Sequence, residues 1–367
     1  MLITLKSPGA YIQDQNIIKD LYPHLHPFGE KALFLISPSG MKRHKKDILD
    51  GFEGKDFSCF FEVSAGECSQ EEIDRIVQLC RSQKTDMLVG VGGGKILDIT
   101  KAAADAYSAS CVIIPTVAST DAPCSALSVL YTPDGIFDRY LHVRRSPDLV
   151  LVDTQIIANA PARFLSYGMG DALATYFEAR AVQRSFSVNQ IGTYPTGAAF
   201  ALATCCRDTL YQYGKEAYLS AQKNEVSPAL EKIVEANTYL SGVGFESGGV
   251  AAAHALQKGV TVIPALHAIP HGKIVAFNTI VQLCLEKAPK EEVDSVLSFC
   301  QSIDLPTCFA DLTQESISKE DWLEAARFTC CPGMTVHKMP FAVTPQMLLD
   351  AIYEADAAGR AFCKASV

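Results

Sequence analysis

A carboxylate and two imidazoles in apolar company carry the strongest chemical signal in this 367-residue sequence. Asp171 lies in Gly168-Met169-Gly170-Asp171-Ala172-Leu173-Ala174, and His254 in Gly249-Val250-Ala251-Ala252-Ala253-His254-Ala255-Leu256. Desolvating such groups without partners is costly, so each is expected to have one. Their small neighbours let helices approach closely and aim both groups at one centre. His271 follows in Ile269-Pro270-His271-Gly272-Lys273, where Pro and Gly mark a turn that leaves the ring free to point inward. One carboxylate and two imidazoles suit Zn²⁺ with an open fourth position, or Fe²⁺ or Mn²⁺. The intervals carry no HExxH-like signature, hydrogen-bonded core histidines use the same residue types, and His267 competes by position. Residue types alone leave the set open.

A second signal is Met87-Leu88-Val89-Gly90-Val91-Gly92-Gly93-Gly94-Lys95-Ile96-Leu97-Asp98, which places three consecutive glycines between an expected strand and an expected helix. Backbone without side chains can approach a pyrophosphate, and the first amides of the helix, with the positive end of its dipole, favour an anion. Lys95 stands where G-x-G-x-x-G needs its third Gly, and Ile96 where a Walker lysine needs Ser or Thr, so neither standard fingerprint is met. A plain turn has the same composition. Gly92, Gly93, Gly94, Lys95 and Asp98 are the candidate cofactor contacts of this segment. The stretch Pro115 to Ser125 follows another expected strand, and its hydroxyls and Asp121 could grip a ribose or a polyol. A polar loop that caps the next element would look alike.

These residues need a scaffold, and its periodicity is visible. Apolar runs at Ala32–Ile36, Phe57–Val63, Asp86–Val91, Cys111–Pro115 and Leu149–Val152 alternate with helix-period segments at Met41–Leu49, Gln70–Arg81 and Lys95–Tyr107. That is the pattern of a parallel, Rossmann-like sheet with crossover helices. Ser69 with Glu72 three residues on predicts a capping box. Between Ala126 and Val143 the period approaches two around Pro133-Asp134-Gly135, which predicts a hairpin. Beyond Asp153 strand signals stop, and helices are expected at Phe164–Val182, Thr196–Tyr213, Pro228–Leu240 and Met347–Phe362. The chain therefore reads as two domains: 1–160, an α/β dinucleotide-binding unit, and 161–367, an all-helical unit for metal and substrate.

Composition excludes several classes of function. A formal net charge of -9, with one short basic run at Lys42-Arg43-His44-Lys45-Lys46, argues against nucleic acid or an anionic membrane surface. The longest apolar stretch, around 248–265, holds His254 and Lys258 and would bury them in a bilayer. Thirteen cysteines, an odd number without any CxxC, do not form a disulfide framework. They fit a reducing compartment, and with no secretory leader read at Met1–Gly9 the expected address is the cytoplasm.

Taken together, these segments resemble the glycerol dehydrogenase branch of the iron-containing alcohol dehydrogenase superfamily, whose fold is shared with dehydroquinate synthase. The likeness runs along nearly the whole chain. It is carried by Ser7-Pro8-Gly9, Gly66-Glu67-Cys68-Ser69, the glycine turn, the block Thr116 to Leu130 reading TVASTDAPCSALSVL, and Phe137-Asp138-Arg139-Tyr140. It continues through Gly170 to Thr175, Glu235 to Gly249 and Val336-His337-Lys338-Met339-Pro340. By that resemblance Asp171, His254 and His271 take the family's metal-ligand places, with zinc the usual ion. Gly94, Lys95, Thr116, Ser119, Ser125, Leu127 and Tyr131 match its cofactor-contacting positions, Asp121 a polyol-contacting one, and Phe245 a pocket wall. The implied reaction is metal-dependent, NAD-linked oxidation of glycerol to dihydroxyacetone and its reverse, extending to 1,2-propanediol and related vicinal diols. The implied assembly is a homo-oligomer, an octamer.

Two departures stand out. Where the branch usually has an Asp after the first strand, accepting from the adenosine ribose, this chain has Ser37 and then Pro38. Loss of that carboxylate opens the way to NADP, with Lys42 and Arg43 the nearest cations. After His271-Gly272 comes Lys273-Ile274 in place of the more usual Glu and Lys, which alters local charge. A dehydroquinate synthase-like lyase or a glycerol-1-phosphate dehydrogenase would need a basic cluster for the substrate phosphate, and Asp121 with Lys273 supplies little of one.

Overall fold

Four of the five apolar runs of the N-terminal half become strands buried on both faces, the environment in which aliphatic and aromatic runs pack best, and the fifth, Phe57–Val63, becomes a half-buried strand at the sheet edge. In the computed structural model, which describes residues 1–365, Lys6–Pro161 with Ala221–Val226 form one compact unit. Met1–Leu5, Ala162–Ser220 and the chain from Ser227 onward form the other. The expected boundaries, 1–160 and 161–367, differ from these at Met1–Leu5, Pro161 and Ala221–Val226.

The first unit contains β1 (Tyr11–Asp14), β2 (Lys31–Ile36), β3 (Ser58–Val63), β4 (Met87–Gly92), β5 (Ser110–Pro115), β6 (Leu127–Tyr131), β7 (Phe137–His142) and β8 (Leu149–Asp153). Six of them form one sheet in the order β1-β8-β5-β4-β2-β3, parallel at every pairing. Crossover helices Pro38–Asp50, Gln70–Gln83 and Gly94–Tyr107 join its strands. On one face Phe34, Ile36, Val89, Val91, Val112, Ile114 and Leu151 belong to a single buried cluster. The chain runs outward from β2 to β3 and then back past β2 to β4, so strand order reverses between β2 and β4. Open α/β sheets take their ligands at the carboxyl ends beside such a reversal. Ser37 follows β2 there, and Gly93-Gly94 follow β4.

The expected hairpin is the antiparallel pair β6–β7. Its turn is closed by the Gly135 N–H donating to the Thr132 carbonyl at 2.9 Å, with Gly135 at φ 83°, a conformation that favours glycine. Two local expectations change. Tyr11–Asp14, in which no strand was expected, pairs with β8 at the sheet edge. The Ser69 hydroxyl does accept from the Glu72 N–H at 3.3 Å, but the Glu72 carboxylate turns to the Ala65 N–H and to Arg75. Ser69 therefore caps the helix without the reciprocal half of the box.

The second unit is helical. Ala162–Arg184 and Gly197–Gln222 are followed by Pro228–Glu235, which runs through a π-helical turn at Ala236–Leu240 into Ser241–Gly248. Ala252–Gly259, His271–Leu285, Lys290–Ser302, the short Phe309–Leu312, Lys319–Thr329 and Pro345–Ala365 follow. The helix expected at Pro228–Leu240 thus continues past its predicted end, with the wide turn of a π-bulge inside it. The only β pairing of this unit among the described residues is the bridge between Ile3 and Tyr194. None of the thirteen cysteines forms a disulfide. No helix among the described residues is long and apolar enough to cross a membrane.

Candidate metal and cofactor sites

Three helices of the second unit bring Asp171, His254 and His271 together. Asp171 lies midway along Ala162–Arg184 and is fully buried. His254 stands in the first turn of Ala252–Gly259. His271 is the first residue of His271–Leu285, started by Pro270. Asp171 Oδ1 lies 3.3 Å from His254 Nε2 and 3.0 Å from His271 Nε2. One ligand atom from each residue falls within 4.8 Å of the others.

The close approach of the helices follows from glycines beside the ligands. A Cβ on Gly170 would come to 2.3 Å from the Gly272 carbonyl oxygen, and one on Gly272 to 1.8 Å from that of Tyr167. Backbone therefore meets backbone where Asp171 and His271 leave their helices; the small neighbours of Asp171 predicted a close approach there, whereas Gly272 beside His271 was expected only to mark a turn. His267, the positional competitor, is exposed and its Nε2 sits 2.7 Å from the Thr261 carbonyl, outside the cluster.

Electrostatics fits a cation. Burial opposes charge on Asp171, yet the imidazoles of His271 and His254 overcome it and hold the carboxyl far below the usual carboxylate range. Burial likewise opposes charge on His254, but Glu178 and Asp171 raise its pKa well above the ordinary histidine value. The space between these groups therefore favours positive charge, which a divalent ion would supply. Fully buried carboxylate, two convergent imidazoles and a carboxylate behind one ring form a donor set that suits Zn²⁺, Fe²⁺ or Mn²⁺.

Glu178 was not foreseen. It is fully buried, two turns beyond Asp171 on the same helix, with Oε2 at 2.5 Å from His254 Nδ1. The signal was present: a carboxylate in Tyr176-Phe177-Glu178-Ala179 needs a partner for the same reason as Asp171. Phe245 lies buried in Ser241–Gly248, whose Gly244 backs onto Thr175 of the Asp171 helix.

In the first unit, the glycines of the phosphate turn serve two purposes. A Cβ on Gly90 would collide with Thr100 and one on Gly92 with Ile96, so these two let the helix Gly94–Tyr107 lie close on β4. A Cβ on Gly93 would meet only Val117 at 3.5 Å, and one on Gly94 only Thr120 at 3.9 Å. Nothing in the fold demands glycine at these two positions, and together they leave room for a ligand at the helix N-terminus, where no side chain caps. Lys95 Nζ pairs with Glu67 at 2.5 Å.

Other expected cofactor residues have structural duties. The Asp98 carboxylate accepts from the Val129 N–H at 3.1 Å and pairs with Lys101 at 2.9 Å, tying helix to hairpin. Lys101, missed in the sequence, is almost wholly buried, and its ammonium also donates to the carbonyls of Ala122 and Leu127. It thereby anchors the polar loop at one end and β6 at its start. Thr116 donates its N–H to the Gly92 carbonyl at 2.9 Å, joining loop and glycine turn. Ser125 and Asp121 are buried, Ser119, Leu127 and Tyr131 half-buried. The Ser37 hydroxyl caps its helix, accepting from the Gly40 N–H at 3.0 Å.

A parallel sheet with a hairpin, a helical unit, a glycine turn at the strand-order reversal and an Asp-His-His cluster around a buried carboxylate define the class. The family profile for iron-containing alcohol dehydrogenases matches residues 8–154, and the chain belongs to that family. Within it, the chain is 45% identical over 368 residues to the glycerol dehydrogenase of Thermotoga maritima, covering 98% of each. It is 45% identical over 360 residues to that of Escherichia coli O6:H1, again with 98% of each covered. The crystal structure of glycerol dehydrogenase from Schizosaccharomyces pombe superposes with a TM-score of 0.95 at 35% identity, over 100% of this chain and 93% of that one.

Proposed function

We propose that the chain oxidises glycerol to dihydroxyacetone with NAD, and runs the reverse reduction, using a divalent ion held by Asp171, His254 and His271. The observation that carries this is the convergence of those three side chains in a chain so close to glycerol dehydrogenases over its full length. Bound there, the ion would supply the positive charge that lowers the pKa of a substrate hydroxyl and polarises a carbonyl. Zinc is our assignment, because two imidazoles and one carboxylate with an open position make a set it favours. Asp121 accepts a hydrogen bond from a second substrate hydroxyl, favouring vicinal diols, since an unmatched buried carboxylate penalises a simple alcohol. Phe245 walls the pocket. Gly93 and Gly94 receive the cofactor pyrophosphate, with Gly92, Lys95, Thr116, Ser119, Ser125, Leu127 and Tyr131 around the rest of the cofactor. Asp98 acts through the hairpin it holds. We place the enzyme in the cytoplasm as a homo-oligomer. A phosphorylated substrate gains no support, because Lys273 Nζ already donates to the Asp311 carbonyl at 3.2 Å.

Dialysis against a chelator is expected to abolish glycerol-dependent NADH formation, followed by absorbance, and added Zn²⁺ to restore it. Activity untouched by metal removal would sink the assignment. Cofactor choice is tested separately. Ser37 presents no carboxylate to a 2'-phosphate, and Arg43, six residues on, donates to the Ser39 hydroxyl at 3.3 Å. With the repulsion between surface charges absent, a term of about 1 kcal/mol, NADP is expected to support rates within roughly tenfold of NAD. A rate ratio above about 100 would show that other contacts exclude the phosphate.

A further inference from the structure

We infer that Glu178 is a positioning residue for the metal site: it sets the orientation and ring tautomer of His254 and fixes the start of the helix that carries it. This rests on the metal reading above. Its two oxygens divide the work. Oε2 lies 2.5 Å from His254 Nδ1, so Nδ1 carries the proton and Nε2 presents its lone pair on the side of Asp171, 3.3 Å away. Oε1 accepts from the backbone N–H groups of Ala251 at 2.8 Å and His254 at 2.9 Å. Those donors lie at a helix start that has no cap of its own.

A second clamp comes from the helix of His271. Gln282 Oε1 accepts from the Ala252 N–H at 3.2 Å and the Ala253 N–H at 3.1 Å, and its amide donates to the Phe177 carbonyl at 3.2 Å. The helix bearing His254 is thus suspended by its first amides between the helices bearing the other two ligands. Only Glu178 also reaches the ring. Gln282 therefore serves as the internal control, sharing the backbone duty and lacking the ring contact.

Glu178→Gln keeps a carbonyl oxygen for the two amides but turns an NH₂ toward Nδ1, which favours the wrong tautomer. Zn²⁺ binding, measured on the full-length protein by competition with a chromophoric chelator, is expected to weaken by about 10- to 100-fold. The visible absorption of the Co²⁺ form is expected to shift, since the ring no longer holds its angle; loss of charge alone would weaken binding without moving the band. Gln282→Leu should lower the melting temperature of the metal-free protein and leave the Co²⁺ spectrum as in wild type. Wild-type affinity and spectrum in Glu178→Gln would overturn the inference, as would the same spectral shift in Gln282→Leu. If Glu178→Gln does not fold, Glu178→Asp serves, with a shortened carboxylate that should shift the band; an unmoved band overturns the inference. A wild-type protein that binds neither ion would instead fail the metal reading itself.

Discussion

Asp171→Asn is expected to fold, to retain no zinc after dialysis, and to oxidise glycerol at least about 10³-fold more slowly in kcat/KM. Asp171 is the one anion of the ligand set and is fully buried. Its Oδ1 faces the Nε2 atoms of both histidines. Asparagine fills the same volume, so packing along Ala162–Arg184 is undisturbed, but it removes the charge and can turn two N–H groups toward two imidazoles. Burying a neutral amide is cheaper than burying a carboxylate, and Glu178 still supports His254. That offsets part of the loss of the ion pairs with the two histidines, so the metal-free variant should melt only modestly below the metal-free wild type. The difference appears on adding zinc: at 100 times the dissociation constant the wild type gains about 2.7 kcal/mol of stability and the variant gains none. Metal content by plasma mass spectrometry, melting with and without zinc, and initial rates check the three claims together. An Asp171→Asn variant that keeps both zinc and rate would remove Asp171 from the site.

How far the sequence reveals this arrangement depends on whether a residue's partner is near or far along the chain. The buried strands β2, β4, β5 and β8 stood out because parallel strands covered on both faces are continuous apolar runs. Tyr11–Asp14 did not, since its four residues are recognisable as a strand only through pairing with Val150 to Asp153. Asp171 and His254 were visible as polar groups among alanines and glycines, and the same logic, carried further, finds Glu178 and Lys101. What residue types could not do is separate His271 from His267. That depends on Pro270 beginning a helix whose Gly272 rests on the Tyr167 carbonyl, while His267 ends a short turn against Thr261. Likewise Asp98 looked like a cofactor contact from its place after the glycine turn, and only the register of the hairpin shows its carboxylate engaged by Val129. Local chemistry is legible in sequence; which candidate faces the centre is a property of long-range packing.

Gly272→Ala and Gly94→Ala are expected to fail in opposite ways, because glycine serves the fold at one position and the ligand at the other. A methyl at residue 272 would sit 1.8 Å from the Tyr167 carbonyl oxygen, and neither partner is a flexible side chain that can swing aside. The helices Ala162–Arg184 and His271–Leu285 must then separate, at a cost of roughly 3 kcal/mol or more. The separation falls beside His271 and one helical turn from Asp171, so zinc affinity and activity should drop with stability. At Gly94 the nearest obstacle to a methyl is Thr120 at 3.9 Å, and the residue opens the helix Gly94–Tyr107. Alanine there has the better helix propensity, by up to about 1 kcal/mol, so the melting temperature should hold or rise. The methyl would nonetheless occupy the space proposed for the pyrophosphate, and KM for NAD should rise by roughly tenfold or more, the loss of about 1.4 kcal/mol of binding. Melting curves and NAD titrations of the two variants separate these effects. A Gly94→Ala enzyme with unchanged KM would detach the glycine turn from the cofactor, and a Gly272→Ala protein as stable as wild type would mean that the helices carrying Asp171 and His271 do not depend on this contact.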